Sequence, residues 1–185
     1  MMMTSFGAWL MDAMKVFRCA RQDQLEWLCR LKFGSTPKQV EGDLRQLQYM
    51  GLLRQKGPLV LLPEQEQDKE MFGAIEIMRL LSGDALPEFG GGSPPAKLAF
   101  YLEDRRGYLD FKVIPVAPGQ ERRALLQLEP QLSRFVCTCI FLIRQEGQIP
   151  RFAAVPRAYF ALPDGTGGYQ FLQAQDSGGG VASQG

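Results

Sequence analysis

Between Ser35 and Pro63 the chain reads STPKQVEGDLRQLQYMGLLRQKGPLVLLP, and no other stretch restricts the architecture as strongly. Ser35 or Thr36 offers a side-chain oxygen to cap a helix. Pro37 suits the first helical position, where its fixed φ fits and its missing N–H is not needed. Val40, Leu44 and Leu47 then recur at helical spacing and give one narrow apolar face. Met50-Gly51 closes the helix, because Gly51 can adopt the left-handed conformation that ends one. Leu52–Gln55 and Leu59–Leu62 follow at once around Lys56-Gly57-Pro58, which predicts two short strands and a tight turn.

Upstream, Phe6, Leu10, Met14 and Phe17 repeat at helical spacing with Trp9 and Ala13 beside them. This predicts a helix from Thr4 to about Cys19, capped by Thr4 or Ser5. Asp23 is the expected cap of a shorter helix over Gln24–Leu31, whose buried stripe is Leu25, Leu28 and Cys29. Lys32-Phe33-Gly34 turns the chain into the next helix.

Three helices and a hairpin in this order give residues 4–62 a resemblance to the winged helix-turn-helix DNA-binding superfamily. Gln24–Met50 matches the helix-turn-helix. The motifs that carry the likeness are Asp23-Gln24-Leu25, the recognition-helix start Thr36-Pro37-Lys38-Gln39-Val40, and the strand Gly51-Leu52-Leu53. In element order the whole chain is also similar to plasmid replication-relaxation-type proteins and related uncharacterised families of Gram-positive mobile elements. These place a winged helix before a small α/β domain. The resemblance implies double-stranded DNA as partner, a transcription-regulation or replication role, and a homodimer.

The expected fold class is α+β: a winged helix followed by a small α/β domain with a mixed sheet of about five strands. The division read from the sequence is 1–63 for the first domain, 64–96 for a connecting helix and linker, and 97–175 for the second domain. The low-complexity tail 176–185 is expected to be disordered. In the connector, Met71, Ile75, Met78 and Leu81 mark a helix over Gln67–Leu81. Phe72, Ile77 and Leu80 widen its stripe enough to require cover on more than one side. Ser82–Pro95 reads as a Gly/Pro-rich loop. Beyond it come a hairpin of Lys97–Glu103 and Tyr108–Ala117 about Arg105-Arg106-Gly107, then a helix from Glu121 to about Ser133. A central strand, Phe135–Ile143, follows, and a last hairpin over Ala158–Leu172 closes the domain.

The formal net charge is only +1, yet charge is unevenly spread. Up to Leu62 nine basic residues face five acidic ones, while from Pro63 to Ala96 seven acidic residues face two basic ones. A basic front module before an acidic connector fits anion binding by the former. Histidine is absent, which excludes histidine general bases, Ser-His-Asp and Cys-His arrangements, and imidazole metal sites. The four cysteines lack the close-paired spacing of a zinc site and read as buried free thiols. No cofactor or metal is expected. No apolar run approaches the ~20 residues of a membrane span, and Met1–Trp9 lacks signal-peptide organisation, so a cytoplasmic location without membrane contact is expected.

The first candidate site is the outward face of the Pro37–Met50 helix with its wing: Lys38, Gln39, Gly42, Arg45, Gln46, Tyr49, Arg54 and Lys56. Lys38 suits a phosphate, Arg45 a guanine edge or phosphate, Gln39 or Gln46 an adenine, and Gly42 leaves room for a close backbone. Glu41 and Asp43 oppose this, and a solvated helix face or a protein-docking module without DNA is the competing reading. The second candidate is Asp104, Asp110 and Lys112. An acid at one strand end and a D-x-K pair on the next resembles the restriction-endonuclease arrangement. There, two carboxylates hold a divalent ion and the lysine assists water. Such a centre in a degenerate form, or an exposed hairpin pair, accounts for the same residues. Neither Gly90–Gly92 nor Gly165–Gly168 lies in the strand-to-helix order of a phosphate loop.

Overall fold

The computed structural model describes residues 4–105, 107–132 and 137–173. The protein is α+β, with a three-stranded sheet and a six-stranded mixed sheet. Arg106, Ser133, Phe135 and the tail 176–185, all named in the sequence expectations, lie outside the described residues.

The first helix, α1, covers Ser5–Phe17, and Thr4 caps it by accepting the Gly7 N–H at 2.9 Å. It stops two residues earlier than periodicity predicts. Arg18 takes φ 62° and returns its N–H to Met14, and the chain leaves as strand β1, Cys19–Arg21. Helix α2 spans Gln22–Phe33. Its N-terminus is closed by Gln24, which accepts the Arg21 backbone N–H at 3.1 Å, while Asp23 sits in the first turn and pairs with Arg21. Gln24 outcompetes Asp23 because its amide also donates to the Phe72 carbonyl at 2.8 Å. Fully buried, it satisfies two elements at once.

Helix α3, Pro37–Tyr49, carries a capping box in which Thr36 and Gln39 bond each other's backbone N–H. Strands β2 (Arg54–Lys56) and β3 (Leu59–Leu61) form the hairpin. β3 is the middle strand, because β1 pairs with its other edge, Cys19 opposite Leu61.

Helix α4, Lys69–Ser82, is capped by Asp68, which accepts the N–H groups of Glu70 and Met71. Its width is used on two sides: α2 and β1 lie against one, β5 and β6 against the other. The larger sheet runs β4 (Glu88–Gly91), β5 (Leu98–Asp104), β6 (Gly107–Pro115), β7 (Thr138–Leu142), β8 (Ala158–Pro163) and β9 (Tyr169–Gln173) in that spatial order. Pairing is antiparallel except for β6–β7 and β7–β8, which are parallel. Helix α5, Glu121–Leu132, connects β6 to β7, and a 3-10 turn over Glu146–Phe152 precedes β8. β4 lies inside the Gly/Pro-rich stretch read as a loop. Phe89 anchors it by stacking on Phe17 of α1 with centroids 4.8 Å apart.

One set of buried side chains runs without interruption from Leu10 and Leu44 through Ile75 of α4 to Phe100, Val113 and Ile140 on the near face of the sheet. The far face has its own core beneath α5, built on Phe141, Phe152, Phe160 and Leu128. All four cysteines are buried and free. Among the described residues, no helix is long and apolar enough to cross a membrane.

Candidate nucleic-acid interface

Val40, Leu44 and Leu47 are each no more than 1% exposed, and α3 meets α1 and α2 through them. Burying that stripe fixes the rotation of the helix. It sends Lys38, Gly42, Arg45 and Tyr49, spaced i, i+4, i+7 and i+11, outward as a second stripe. Tyr49 is 87% exposed, an aromatic that packing leaves unused. Gly42 is the other residue that folding does not explain. A Cβ built there meets nothing within 4 Å, and its φ is not positive. A mid-helix glycine costs about 1 kcal/mol relative to alanine, and no tight contact or turn offsets it here.

The two carboxylates that oppose anion binding are both engaged. Asp43 turns toward the start of α1 and accepts the Thr4 hydroxyl at 3.1 Å. Glu41 pairs with Arg45 at 2.5 Å, an exposed i,i+4 pair. Such a pair contributes only about 0.3–0.5 kcal/mol. Gln39 is exposed, but its side-chain oxygen is held in the capping box. Gln46 is half-buried at the edge of the stripe. In the β2–β3 hairpin, Lys56 is exposed beside the turn, whereas the Arg54 guanidinium donates to the carbonyl of Gln65.

A chain of amides that the sequence reading did not single out ties the β2–β3 hairpin to α2 and α3. Gln48 donates to Gln55 at 2.6 Å, Gln55 to Gln22 at 2.9 Å, and Gln22 to Glu26 at 2.8 Å. Only the i,i+4 spacing of Gln22 and Glu26 was visible beforehand. The Gln48–Gln55 and Gln55–Gln22 bonds depend on where the hairpin folds back.

The second candidate does not assemble. β5–β6 register sets Asp104 opposite Gly107 and Asp110 opposite Tyr101. Alternation from these pairs puts Asp104 on the α4 side of the sheet and Asp110 with Lys112 on the α5 side. The two carboxylates therefore do not converge on one ion. Among the described residues, no three His, Cys, Asp or Glu side chains are grouped to hold a metal. On the α5 side Lys112 bonds Gln131 at 2.9 Å. Burial pushes the Asp110 carboxyl up against the opposing pull of Lys112, and its buried Oδ1 has no hydrogen-bond partner among the described residues. Cys137 and Cys139 lie close by with sulfurs 4.0 Å apart. That contact brings Cys137 down to about 7 and drives Cys139 far up.

No protein-family model matches the chain, and no curated protein matches it. Among solved structures it is similar to restriction endonuclease FokI bound to DNA, at 13% identity and a TM-score of 0.31, over 85% of this chain and 42% of that one. Restriction endonuclease FokI in a second structure gives 14% identity and a TM-score of 0.32 over the same shares. The chain thus spans less than half the length of those proteins.

Proposed function

We propose that residues 4–62 act as a winged helix that binds double-stranded DNA, with α3 as recognition helix and the β2–β3 hairpin as wing. The protein would serve a regulatory or replication-associated role on bacterial or mobile-element DNA. The observation that carries this reading is the outer stripe of α3. Gly42 and Tyr49 stand exposed beside Lys38 and Arg45, where folding needs neither the missing side chain nor the aromatic ring.

Lys38, at the start of α3, meets a phosphate with its ammonium group. Gly42 lets the duplex backbone approach the helix, and Arg45 exchanges Glu41 for a phosphate or a guanine edge. Lys56 reaches an adjacent phosphate from the wing. The amide chain Gln48–Gln55–Gln22 keeps wing and helix in fixed relation, so that both meet one duplex. The remainder of the chain, with α4 and the six-stranded sheet, serves dimerisation or partner docking.

Tyr49→Ala is the first test, because a side chain this exposed can be removed without disturbing the core. Duplex affinity of the full chain should fall about tenfold, the loss of one good contact, while the unfolding midpoint stays in place. Unchanged affinity would remove the stripe from the interface.

A further inference from the structure

The amide chain that joins α2, the β2–β3 hairpin and α3 has one polarity, and Glu26 sets it. A carboxylate only accepts, so the part of Gln22 that lies 2.8 Å from Glu26 is its N–H side. The Gln22 carbonyl is thereby turned to Gln55, which must donate to it at 2.9 Å. That aims the Gln55 carbonyl at Gln48, which must donate in turn at 2.6 Å. Turning over any one of the three amides would set carbonyl oxygen against carbonyl or carboxylate oxygen.

Gln48 ends the chain with one N–H bound. Its side-chain carbonyl and second N–H have no hydrogen-bond partner among the described residues. It is half-buried one turn beyond Arg45, on the flank of α3 toward the hairpin. Gln55 meets it there from the hairpin face that also carries the buried Val60. The other glutamines of α3 are placed differently. The Gln39 oxygen is held in the capping box, and Gln46 has no side-chain hydrogen bond among the described residues to orient it.

We propose that Gln48 reads an adenine in the cleft between α3 and the hairpin, and that Glu26 is the positioning residue that orients its amide. An acceptor beside a donor is the pattern that N6 and N7 of adenine complement in the major groove. An amide already held in one orientation forms that contact with less ordering cost than a free one. This deepens the DNA-binding reading of α3 and rests on it.

The full chain is used at low salt to enrich bound sites from a pool of duplexes with a randomised core. One position of the enriched sites should be adenine, and replacing that A·T pair by G·C should weaken wild type about tenfold. Gln48→Ala should cut this ratio to about twofold or less and leave the salt slope unchanged, because no phosphate contact is lost. Glu26→Gln keeps the shape of the side chain but allows the chain either polarity, so it should relax the same position and no other. Lys38→Ala should weaken all sites alike and keep the adenine. Unfolding midpoints of the Gln48 and Glu26 variants should stay in place. Enrichment without adenine, an adenine preference that survives Gln48→Ala, or a Glu26→Gln variant as selective as wild type would overturn this inference while duplex binding stands. No duplex binding at low salt would remove the DNA-binding reading together with it.

Discussion

Glu76, in the middle of α4 and 5% exposed, accepts a hydrogen bond from Arg21 at 2.9 Å and so ties the end of β1 to the helix that covers the sheet. Its other oxygen accepts Arg79 at 2.6 Å, and Asp23 joins both guanidiniums from α2. The two arginines are about one-third exposed, whereas the glutamate is not, so the partners are unequal. Glu76→Gln leaves arginines that water can reach, and should cost about 1–2 kcal/mol. Arg21→Ala/Arg79→Ala leaves a buried carboxylate without a cation and should cost more, about 3–5 kcal/mol. Urea unfolding of both variants checks the order, and a reversed order would contradict it.

Gly42 should separate stability from binding. Gly42→Ala meets open space in the middle of α3, so it should raise stability by about 0.5–1 kcal/mol. Placing a methyl group where the duplex approaches should lower DNA affinity in the same variant. Denaturation and duplex titration on one preparation test both directions. A stabilised variant with full affinity would mean that the glycine has no part in recognition.

Two glycines in close quarters should respond differently to alanine. At Gly73 the new Cβ would come within 2.8 Å of the ends of Leu142 and Tyr169, side chains that can shift. At Gly92 it would meet the Ala96 carbonyl oxygen at 2.5 Å, and a backbone gives way at greater cost. Gly92→Ala should therefore destabilise by about 2–3 kcal/mol. Gly73→Ala should stay within about 1 kcal/mol, because gained helix propensity offsets the repacking. Unfolding midpoints that place Gly73→Ala lower would contradict this.

Asp68 should govern part of the acid limb of stability. Burial raises its carboxyl, but hydrogen bonds from Lys97 and from the Met71 and Glu70 N–H groups outweigh that and hold it below its ordinary value. A folded pKa that is depressed contributes stability above the unfolded value of about 3.9. The contribution is lost as pH falls through the folded value. Asp68→Asn keeps a capping oxygen and drops the Lys97 pair, so it should be less stable than wild type near neutrality. The two curves should converge in acid. Curves that remain parallel from neutrality to pH about 2.5 would exclude the role of this carboxylate.

How far the sequence disclosed these features depended on whether their cause was local. Caps and apolar stripes place α1, α3, α4 and α5 because Thr4, Thr36, Val40 and Leu128 act within a few residues of themselves. β1 escaped notice because Arg18 ends α1 at positive φ without a glycine, and Cys19-Ala20 continues the helical apolar pattern. β4 was hidden because the strand is held by Phe89 against Phe17, a contact across more than seventy residues, while its glycines speak locally for a loop. The stripe Lys38, Gly42, Arg45 and Tyr49 was readable from helical periodicity. The engagement of Asp43 by Thr4 was not, since it depends on how α1 crosses α3. Asp104 and Asp110 looked like neighbours in sequence. Register, set by the tight turn at Gly107, sends them to opposite faces.

The salt dependence of duplex binding tests the central claim most directly. A plot of log affinity against log salt for the full chain should be steep, because phosphate contacts release counterions. Lys38→Ala/Arg45→Ala should reduce the slope by about one to two, roughly 0.9 for each side chain that meets a phosphate. It should also lower affinity across unrelated sequences. No duplex binding at low salt, or an unchanged slope in the double variant, would contradict the assignment of the α3 stripe to DNA.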